Sequence, residues 1–430
     1  MNEQISVETA ILGAGFAGIG AAHAVGKDAV IFERDDVWGG LCGNFTVDGF
    51  RFDKAVHLSF VSEKLTKEIF YSNPYYTYPP EAMNYVEGCW VRHPIQNNSC
   101  RLPIEERIKI IKSFIERSHG GSEPGNYREW LEMQFGTYFA ETYPARYTRK
   151  YWAAEAEELS TSWCGGRLYL PSLDEVLRGA FTDETPNTYY AKAMHYPKNG
   201  GYSAFVKDIA GCCHIEYGRE AVSVDSDRKI IQFRDGSECR YSSIISTIPL
   251  PELVKMVRAC PEKVLSASRM LESTRMALVS VAFNKKIDFP SLWFYVYDED
   301  VPFARAYAPG LKSPDNVPPG RSSLQCEVYS STKMPLKYDD AELERKTVQC
   351  LTRMQIAEIS DIAFVDVRHV PFANVIFFRG MEGYRKMCLD FVRSCGITVA
   401  GRFGEWDYLW SGQAFMSGYN AGRKVKDGCR

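Results

Sequence analysis

The first apolar run of the chain is short. Val7-Glu8-Thr9-Ala10-Ile11-Leu12 has the length and residue types of one β-strand, and it stops at a glycine. Ile19 to Val25 is small and apolar throughout, which suits a helix packed tightly on a sheet. A second strand pattern runs from Asp28 to Phe32 and ends at Glu33. Further on the period changes. From Pro103 to Ser118 the apolar positions Ile104, Ile108, Ile111 and Ile115 recur at helical spacing, with Pro103 placed for the first turn and Gly120-Gly121 for the stop. Helical patterns continue through Trp130 to Phe139 and around Leu173 to Phe181. Strands then return. Val222 to Asp225, Lys229 to Phe233 and Tyr241 to Thr247 read as strand, hairpin and strand, with Asp235-Gly236 for the turn. From Arg275 to Tyr329 the pattern alternates and is rich in aromatics, as in Leu292-Trp293-Phe294-Tyr295-Val296-Tyr297. Ile397 to Gly401 is a late strand ending in glycine, followed by a helix-like segment from Gln413 to Lys424.

This order predicts an α/β protein with a discontinuous, Rossmann-like nucleotide domain. Residues 1–95, 212–255 and 393–430 form that domain, 96–200 a mostly helical insertion or lid, and 256–392 an antiparallel sheet for the substrate. The chain has 430 residues, enough for two or three cores. Its formal net charge of -3 gives no electrostatic case for nucleic acid or an anionic membrane. The 13 cysteines are odd in number and form no C-x-x-C pair, and Cys212 and Cys213 are adjacent. With no signal peptide read before the first strand, reduced thiols in a cytoplasmic enzyme are expected. No apolar run approaches the roughly 18 residues of a spanning helix. Peripheral membrane contact stays open, as does the choice between monomer and homodimer. The aromatic share of 13% suits aromatic-rich cores first, and stacking surfaces for a ring-bearing ligand second.

Chemistry enters at the first turn. Gly13-Ala14-Gly15-Phe16-Ala17-Gly18 fits G-x-G-x-x-G between a strand and a helix. Gly13 permits the sharp turn, Gly15 lets the backbone approach a pyrophosphate, and Gly18 lets helix and strand pack closely. Glu33 lies 20 residues after Gly13, where a carboxylate accepts ribose hydroxyls. The fingerprint predicts a dinucleotide and does not separate NAD from FAD. Arg34 and Trp38-Gly39-Gly40 follow.

A basic residue and a Gly-Gly turn at that point resemble the second signature of the FAD-dependent superfamily that includes amine oxidases, protoporphyrinogen oxidases and UDP-galactopyranose mutases. The resemblance implies FAD bound in a domain of the glutathione-reductase-2 type. It also implies a return of the chain that brings the backbone near Val222 to the adenine, and a last cofactor contact at Gly401 and Arg402. Further segments resemble the mutases in particular. Tyr147-Thr148-Arg149-Lys150-Tyr151-Trp152 is similar to their Y-T-x-K-x-W, Pro197 to Tyr202 to P-K-x-G-Y, Pro302-Phe303-Ala304-Arg305 to P-Y-T-R, and Gly401 to Tyr408 to G-R-L-G-x-Y-x-Y. Glu327, before Tyr329, is similar to a later R-E-Y segment. The resemblance assigns Tyr147, Trp152, Tyr202, Glu327 and Tyr408 to the substrate, with His57 and Arg305 at the chemistry. It implies FAD in its reduced form and a nucleotide sugar of surface-polysaccharide assembly. In that family the flavin N5 attacks the anomeric carbon, and the sugar ring recloses in the other size without net redox change.

The departures are specific. The mutase G-P-H-x-x-H becomes Ala55-Val56-His57-Leu58-Ser59-Phe60, which keeps His57 and replaces the second histidine by Phe60. The acid expected two residues after Tyr408 is Trp410, and the Y-Y-P tyrosines become His369-Val370-Pro371. Arg51-Phe52-Asp53 with His57 is closer to the F-D-x-G-x-H of protoporphyrinogen-oxidase-like proteins. The departures imply a substrate other than UDP-galactose. An oxidase or desaturase of the protoporphyrinogen oxidase or amine oxidase kind is the alternative, and a cofactor-binding protein without turnover is a third. Simpler roles stand beside each assignment: His57 as a core histidine, Tyr147 and Trp152 as core aromatics, Arg305 in a surface ion pair. His93, His195 and His214 show no ligand spacing, and no metal is expected.

Overall fold

The structure is a computed structural model and describes residues 4–117, 123–165, 167–186, 188–189 and 191–428. Along the chain the strands are β1 (Gln4–Leu12), β2 (Ala29–Phe32), β3 (Met83–Val86), β4 (Cys89–Arg92), β5 (His214–Glu216), β6 (Ala221–Asp225), β7 (Ile230–Phe233), β8 (Glu238–Ser246), β9 (Ser273–Phe283), β10 (Trp293–Val296), β11 (Arg305–Tyr307), β12 (Ser322–Ser330), β13 (Ile362–Val375) and β14 (Ile397–Val399). Two short ribbons join Asn44–Val47 to Phe50–Asp53 and Tyr75–Tyr78 to Met194–Pro197. The helices that matter for the site are α1 (Phe16–Val25), α2 (Ile104–Glu116), α3 (Tyr127–Phe135), α4 (Arg146–Trp152), α5 (Leu173–Phe181) and α6 (Ser411–Gly428).

The first sheet has the order β6-β7-β8-β1-β2-β5, with β14 also on β8. β1 runs parallel to β8 on one side and to β2 on the other. The long β8 has two partners along its outer edge: its first residues pair antiparallel with β7, and Ile244 to Ser246 pair parallel with β14. Its parallel strands therefore end together, at Leu12, Phe32, Ser246 and Val399. That carboxyl edge is where open α/β sheets bind ligands. Ile11, Ile31 and Ile245 are fully buried in it, as expected for strands covered on both faces.

The second sheet has the order β13-β9-β12-β11-β10-β3-β4, antiparallel except for β10 against β3. It reaches beyond the expected 256–392, because the hairpin β3–β4 at residues 83–92 belongs to it. No strand is expected there from the residue pattern, and the sheet it joins is decided by a pairing some two hundred residues away, Phe294 with Met83.

The predicted helix from Pro103 is present as α2, with Pro103 at its N-cap; Gly120-Gly121 lie outside the described residues. Its buried face is Ile110, Ser113 and Phe114, and the regularly spaced isoleucines are turned mostly outward. α6 begins at Ser411, two residues before the expected start, and lies directly on α1. A Cβ on Gly418 would sit 1.8 Å from the Ala17 carbonyl oxygen, and one on Gly20 2.3 Å from that of Phe415. Only glycine at both positions allows the two backbones to meet. The crossing aims both helix N-termini at one cavity, lined by Phe16 and Ala17 from α1 and by Ser411 to Ala414 from α6. Among the described residues no helix is long and apolar enough to cross a membrane.

Candidate active site

The nucleotide end is built from glycines. Gly13 has φ +97°, and a Cβ there would meet Thr247 Oγ1 at 2.7 Å. A Cβ on Gly18 would lie 1.9 Å from the Gly13 carbonyl oxygen, so glycine alone lets α1 start this close to β1. Gly15 differs. A Cβ there would meet nothing within 4 Å, and the residue lines the cavity. The space beside Gly15 is thus kept for something other than protein. Glu33 at the end of β2 is buried, and its carboxylate accepts the Ala14 N–H at 2.7 Å and the Asp35 N–H at 3.0 Å. It ties the strand end to the glycine turn and keeps further lone pairs for a ligand. The second loop lies on the first: Gly39 N–H donates to the Ala14 carbonyl at 2.9 Å, and a Cβ on Gly40 would come 3.2 Å from Gly15 Cα. Gly401 closes the far side, where a Cβ would approach that of Ala17 to 2.5 Å. Val222 sits at a register shift between β6 and β7 and is 41% exposed. A bulge leaves a residue outside the ladder, with backbone groups for an outside partner. Arg34 follows, its side chain half exposed and its Nε 3.7 Å from Asp35. Two helix N-termini, a glycine cradle and a strand-end carboxylate fit a dinucleotide.

The cavity, about 410 Å³, continues from Gly15 past Gly401 and Arg402 to an aromatic chamber. Register places its cation. Arg305 on β11 stands opposite Glu327 on β12, and its Nε donates to Glu327 Oε2 at 2.6 Å. Its Nη2 donates to the Tyr329 hydroxyl at 3.2 Å, and that hydroxyl donates to Glu327 at 2.8 Å. Burial works against the charge on Arg305, but the Glu327 carboxylate and the Tyr329, Tyr151 and Tyr147 hydroxyls together outweigh it and hold the guanidinium well above its usual range. Glu327 is fully buried and does not line the cavity; its Oε1 accepts the Val56 N–H at 2.8 Å, which couples Arg305 to the segment carrying His57. A second guanidinium enters from Arg402. Its Nη1 donates to the Leu409 carbonyl at 2.9 Å and its Nη2 to Asn374 Oδ1 at 2.8 Å. It lies over the Tyr408 ring at 4.4 Å, and its Nε is buried with no partner.

His57 lines the same cavity. Its ring stacks on Tyr202 at 4.9 Å, and Nδ1 is 3.1 Å from the Ala55 carbonyl. That contact makes Nδ1 the donor of a neutral imidazole and Nε2 the acceptor. Burial pushes the imidazole down to about 4, with Asp53 and Lys312 acting in opposite senses. Below it lies a buried ion pair. Lys312 Nζ is 2.7 Å from Asp53 Oδ2, which also accepts the Tyr196 hydroxyl at 2.8 Å, and Lys312 sits 3.8 Å over the Tyr307 ring. No spacing in the chain announces a lysine fully inside the protein.

Three predicted substrate residues stand behind the wall. Tyr147 stacks on Tyr151 at 5.6 Å with its hydroxyl buried and unpartnered, and Tyr151 is the ring that reaches the cavity. Trp152 packs on Trp163 and Tyr408. Tyr202 is fully buried between Phe16 and His57, and its hydroxyl meets Ser411 Oγ at 2.5 Å. The rings that line the cavity include Tyr151, Tyr189, Trp293, Tyr295, Tyr329 and Tyr408. Trp293 and Tyr295 could have been found, since residues two apart on a strand share a face. The departures Phe60 and Trp410 prove to be one feature: their rings meet edge to face at 4.8 Å on the cavity wall.

Comparison with known proteins places this geometry. The NAD(P)-binding Rossmann-like domain model matches residues 11–70, and that of the flavin containing amine oxidoreductases matches residues 99–425. Among solved structures, a reduced UDP-galactopyranose mutase is similar with a TM-score of 0.91 at 24% identity, over 99% of this chain and 96% of that one. A protoporphyrinogen oxidase-like protein from Exiguobacterium gives 0.73 at 14% identity, over 99% and 100% of the two chains. Cyclohexylamine oxidase from Brevibacterium oxydans gives 0.65 at 14%, over 98% and 99%. At these identities the likeness is one of fold. The family model spans well over half of the chain, and the chain belongs to the flavin containing amine oxidoreductases, as a flavoenzyme built on a Rossmann-like nucleotide domain.

Proposed function

We propose that this flavoenzyme binds FAD and acts on a nucleotide sugar, in a ring-size interconversion of the UDP-galactopyranose mutase kind serving surface-polysaccharide assembly. The observation that carries the reading is the pairing of Arg305 and Arg402 with aromatic rings in a single cavity that opens from the glycine cradle. Guanidinium forks bind a diphosphate, and ring faces bind a base and a sugar. FAD would lie along Gly13, Gly15, Phe16, Ala17, Gly18, Glu33, Gly39, Gly40, Val222, Gly401 and Arg402. Bound there, the flavin supplies a ring nitrogen able to act as nucleophile or redox centre.

The chain's own groups orient the substrate. Arg305 binds the anion, Glu327 fixes its fork, and Tyr329 completes the set. Burial holds the Tyr151 phenol well above its usual value, with Tyr408 adding to the effect, so at neutral pH it donates a hydrogen bond and does not act as a base. His57 offers Nε2 as an acceptor. Tyr147, Trp152 and Tyr202 back the wall, and Tyr408 lines it. Arg34, directly after Glu33, stands with the cofactor residues.

A specific observation favours the second reading, an oxidase or desaturase. Leu58, Phe60, Met194, Trp293 and Trp410 give part of the cavity an apolar wall, which suits an apolar or amine substrate. The two separate in one pair of assays. Dithionite-reduced enzyme incubated with a panel of nucleotide sugars should yield an isomer of unchanged mass by chromatography. Oxidised enzyme mixed anaerobically with amines or porphyrinogens should keep its flavin absorbance. Bleaching by such a substrate, with no nucleotide sugar bound or converted, would assign the protein to the oxidases.

A further inference from the structure

The apolar wall of the cavity has a fixed place relative to its cation. Leu58 and Phe60 pack into the cluster of Met194 and Trp293, and the Phe60 ring meets that of Trp410. Trp293 and Tyr295 share the cavity face of β10, and Tyr295 stands opposite Arg305 in the ladder. The other end of the wall meets the cofactor side. Trp410 directly precedes α6, whose first residue, Ser411, bonds the Tyr202 hydroxyl; the Tyr202 ring stacks on Phe16 at the start of α1. The wall therefore lies between Arg305 and the glycine cradle. Its polar groups are already engaged. Ser59, between Leu58 and Phe60, exchanges both backbone hydrogen bonds with His195, meets the Tyr71 hydroxyl at 3.2 Å and does not line the cavity. The Trp293 indole N–H donates to the Tyr295 hydroxyl at 3.1 Å, and the Tyr189 and Tyr295 hydroxyls bond each other at 3.0 Å. A ligand hydroxyl set against this wall gives up water and meets carbon.

We propose that the substrate is a nucleoside diphosphate 6-deoxyhexose, whose methyl group rests on the wall of Leu58, Phe60 and Trp410. This inference depends on the nucleotide-sugar reading above. In that reading the diphosphate is held at Arg305 and the anomeric carbon faces the cofactor, so the sugar occupies the stretch between them, along the wall. The nucleoside extends beyond Arg305. A change of ring size uses C1 and the oxygens on C4 and C5, and C6 takes no part in it. Deoxygenation at C2 or C3 would leave only a methylene within the ring. At C6 it leaves a projecting methyl, which gains contact with an apolar surface where a hydroxyl would lose its partners.

Initial rates of the dithionite-reduced, flavin-loaded enzyme test this, with galactose and 6-deoxygalactose each supplied on UDP, dTDP and GDP and the isomers resolved by chromatography. On the nucleotide that turns over best, kcat/KM should favour the deoxy sugar about 10- to 100-fold. Phe60→Asn places a donor and an acceptor in the wall. It should reduce that preference about fivefold, chiefly by raising kcat/KM for the galactose substrate. Phe60→Tyr keeps the ring, adds a hydroxyl and should move the preference the same way, so the test survives if the asparagine variant fails to fold. A ring that only supports the fold would lower both rates together and leave their ratio alone. Wild type that converts the galactose substrate as fast or faster, or a ratio unchanged in both folded variants, overturns the proposal and leaves the nucleotide-sugar reading standing. An isomer from none of the six substrates overturns both.

Discussion

His57 and His93 are both neutral in the folded protein, each pushed by burial from 6.5 down to about 4. Once unfolded, both titrate near their ordinary value. Between pH 6.5 and 4 the unfolded chain therefore binds protons that the native state refuses. Their contribution to stability is complete above pH 6.5 and is lost as the pH falls toward 4. Melting temperature should drop through that window, and His57→Gln/His93→Gln should drop less over the same range; an equal slope would show that carboxylates govern it. Arg305 carries a second expectation. If its fork grips a diphosphate, Arg305→Ala should weaken UDP binding about 10- to 100-fold by calorimetry. Arg305→Lys should recover only part, because the fork is lost while the charge stays. Unchanged affinity in the alanine variant removes the residue from the site. Sequence resemblance pointed to Arg305 and Glu327, and the ladder between β11 and β12 makes them partners. It could not tell Tyr147 from Tyr151. The two rings share one helix face a turn apart, and which of them meets the cavity is set by where the helix lies along β10 and β12, Tyr147 against Tyr295 and Tyr151 against Tyr329.

Among the elements, the α1–α6 crossing joins the first and last segments of the chain at the cavity. The glycine fingerprint made α1 legible and the C-terminal pattern made α6 legible, but their contact was not. Gly418 reads as a poor helix residue until the Ala17 carbonyl is seen 1.8 Å from where its Cβ would be. Gly418→Ala must push the helices apart, and should cost about 1–3 kcal/mol of stability by urea denaturation. Since both N-termini face the cavity, the variant should also release its flavin faster on dilution, read from the protein-free flavin fluorescence. Loss of stability with unchanged flavin release would confine the crossing to a structural role. α2 shows the opposite failure. Its periodicity predicted the helix correctly, yet the regular stripe lies outside and Ile110 and Phe114 lie inside. Periodicity reports an apolar face and says nothing of whether that face meets the protein's own core or another surface.

At the scale of the molecule, most strands of the parallel sheet and the part of the antiparallel sheet from Arg275 to Tyr329 were legible, while β3, β4, β5 and the long β13 were not. Nor was what holds the two sheets together. Asp53 ends the ribbon that follows the glycine loops, and Lys312 follows β11 of the antiparallel sheet. Their ion pair, with both side chains essentially unexposed, joins the two halves directly under His57. The same carboxylate accepts the Tyr202 N–H at 3.0 Å. A buried charge is costly when it is alone and tolerated when it is paired. Burial lowers the Lys312 ammonium from its usual value, and Asp53 opposes that shift. Lys312→Met keeps much of the side-chain volume but strands the carboxylate, and should cost about 3–5 kcal/mol in urea denaturation. Asp53→Asn should cost a similar amount by stranding the ammonium. The double variant should cost clearly less than the two singles together, because neither charge is then left alone. If the pair also sets the register of the two halves, rather than stability alone, the double variant will be folded and yet bind UDP more weakly than wild type, since Arg305 and the glycine cradle lie on opposite sides of the junction. Strict additivity of the single variants would mean that the two charges are not coupled, and would remove the ion pair as the link between the sheets.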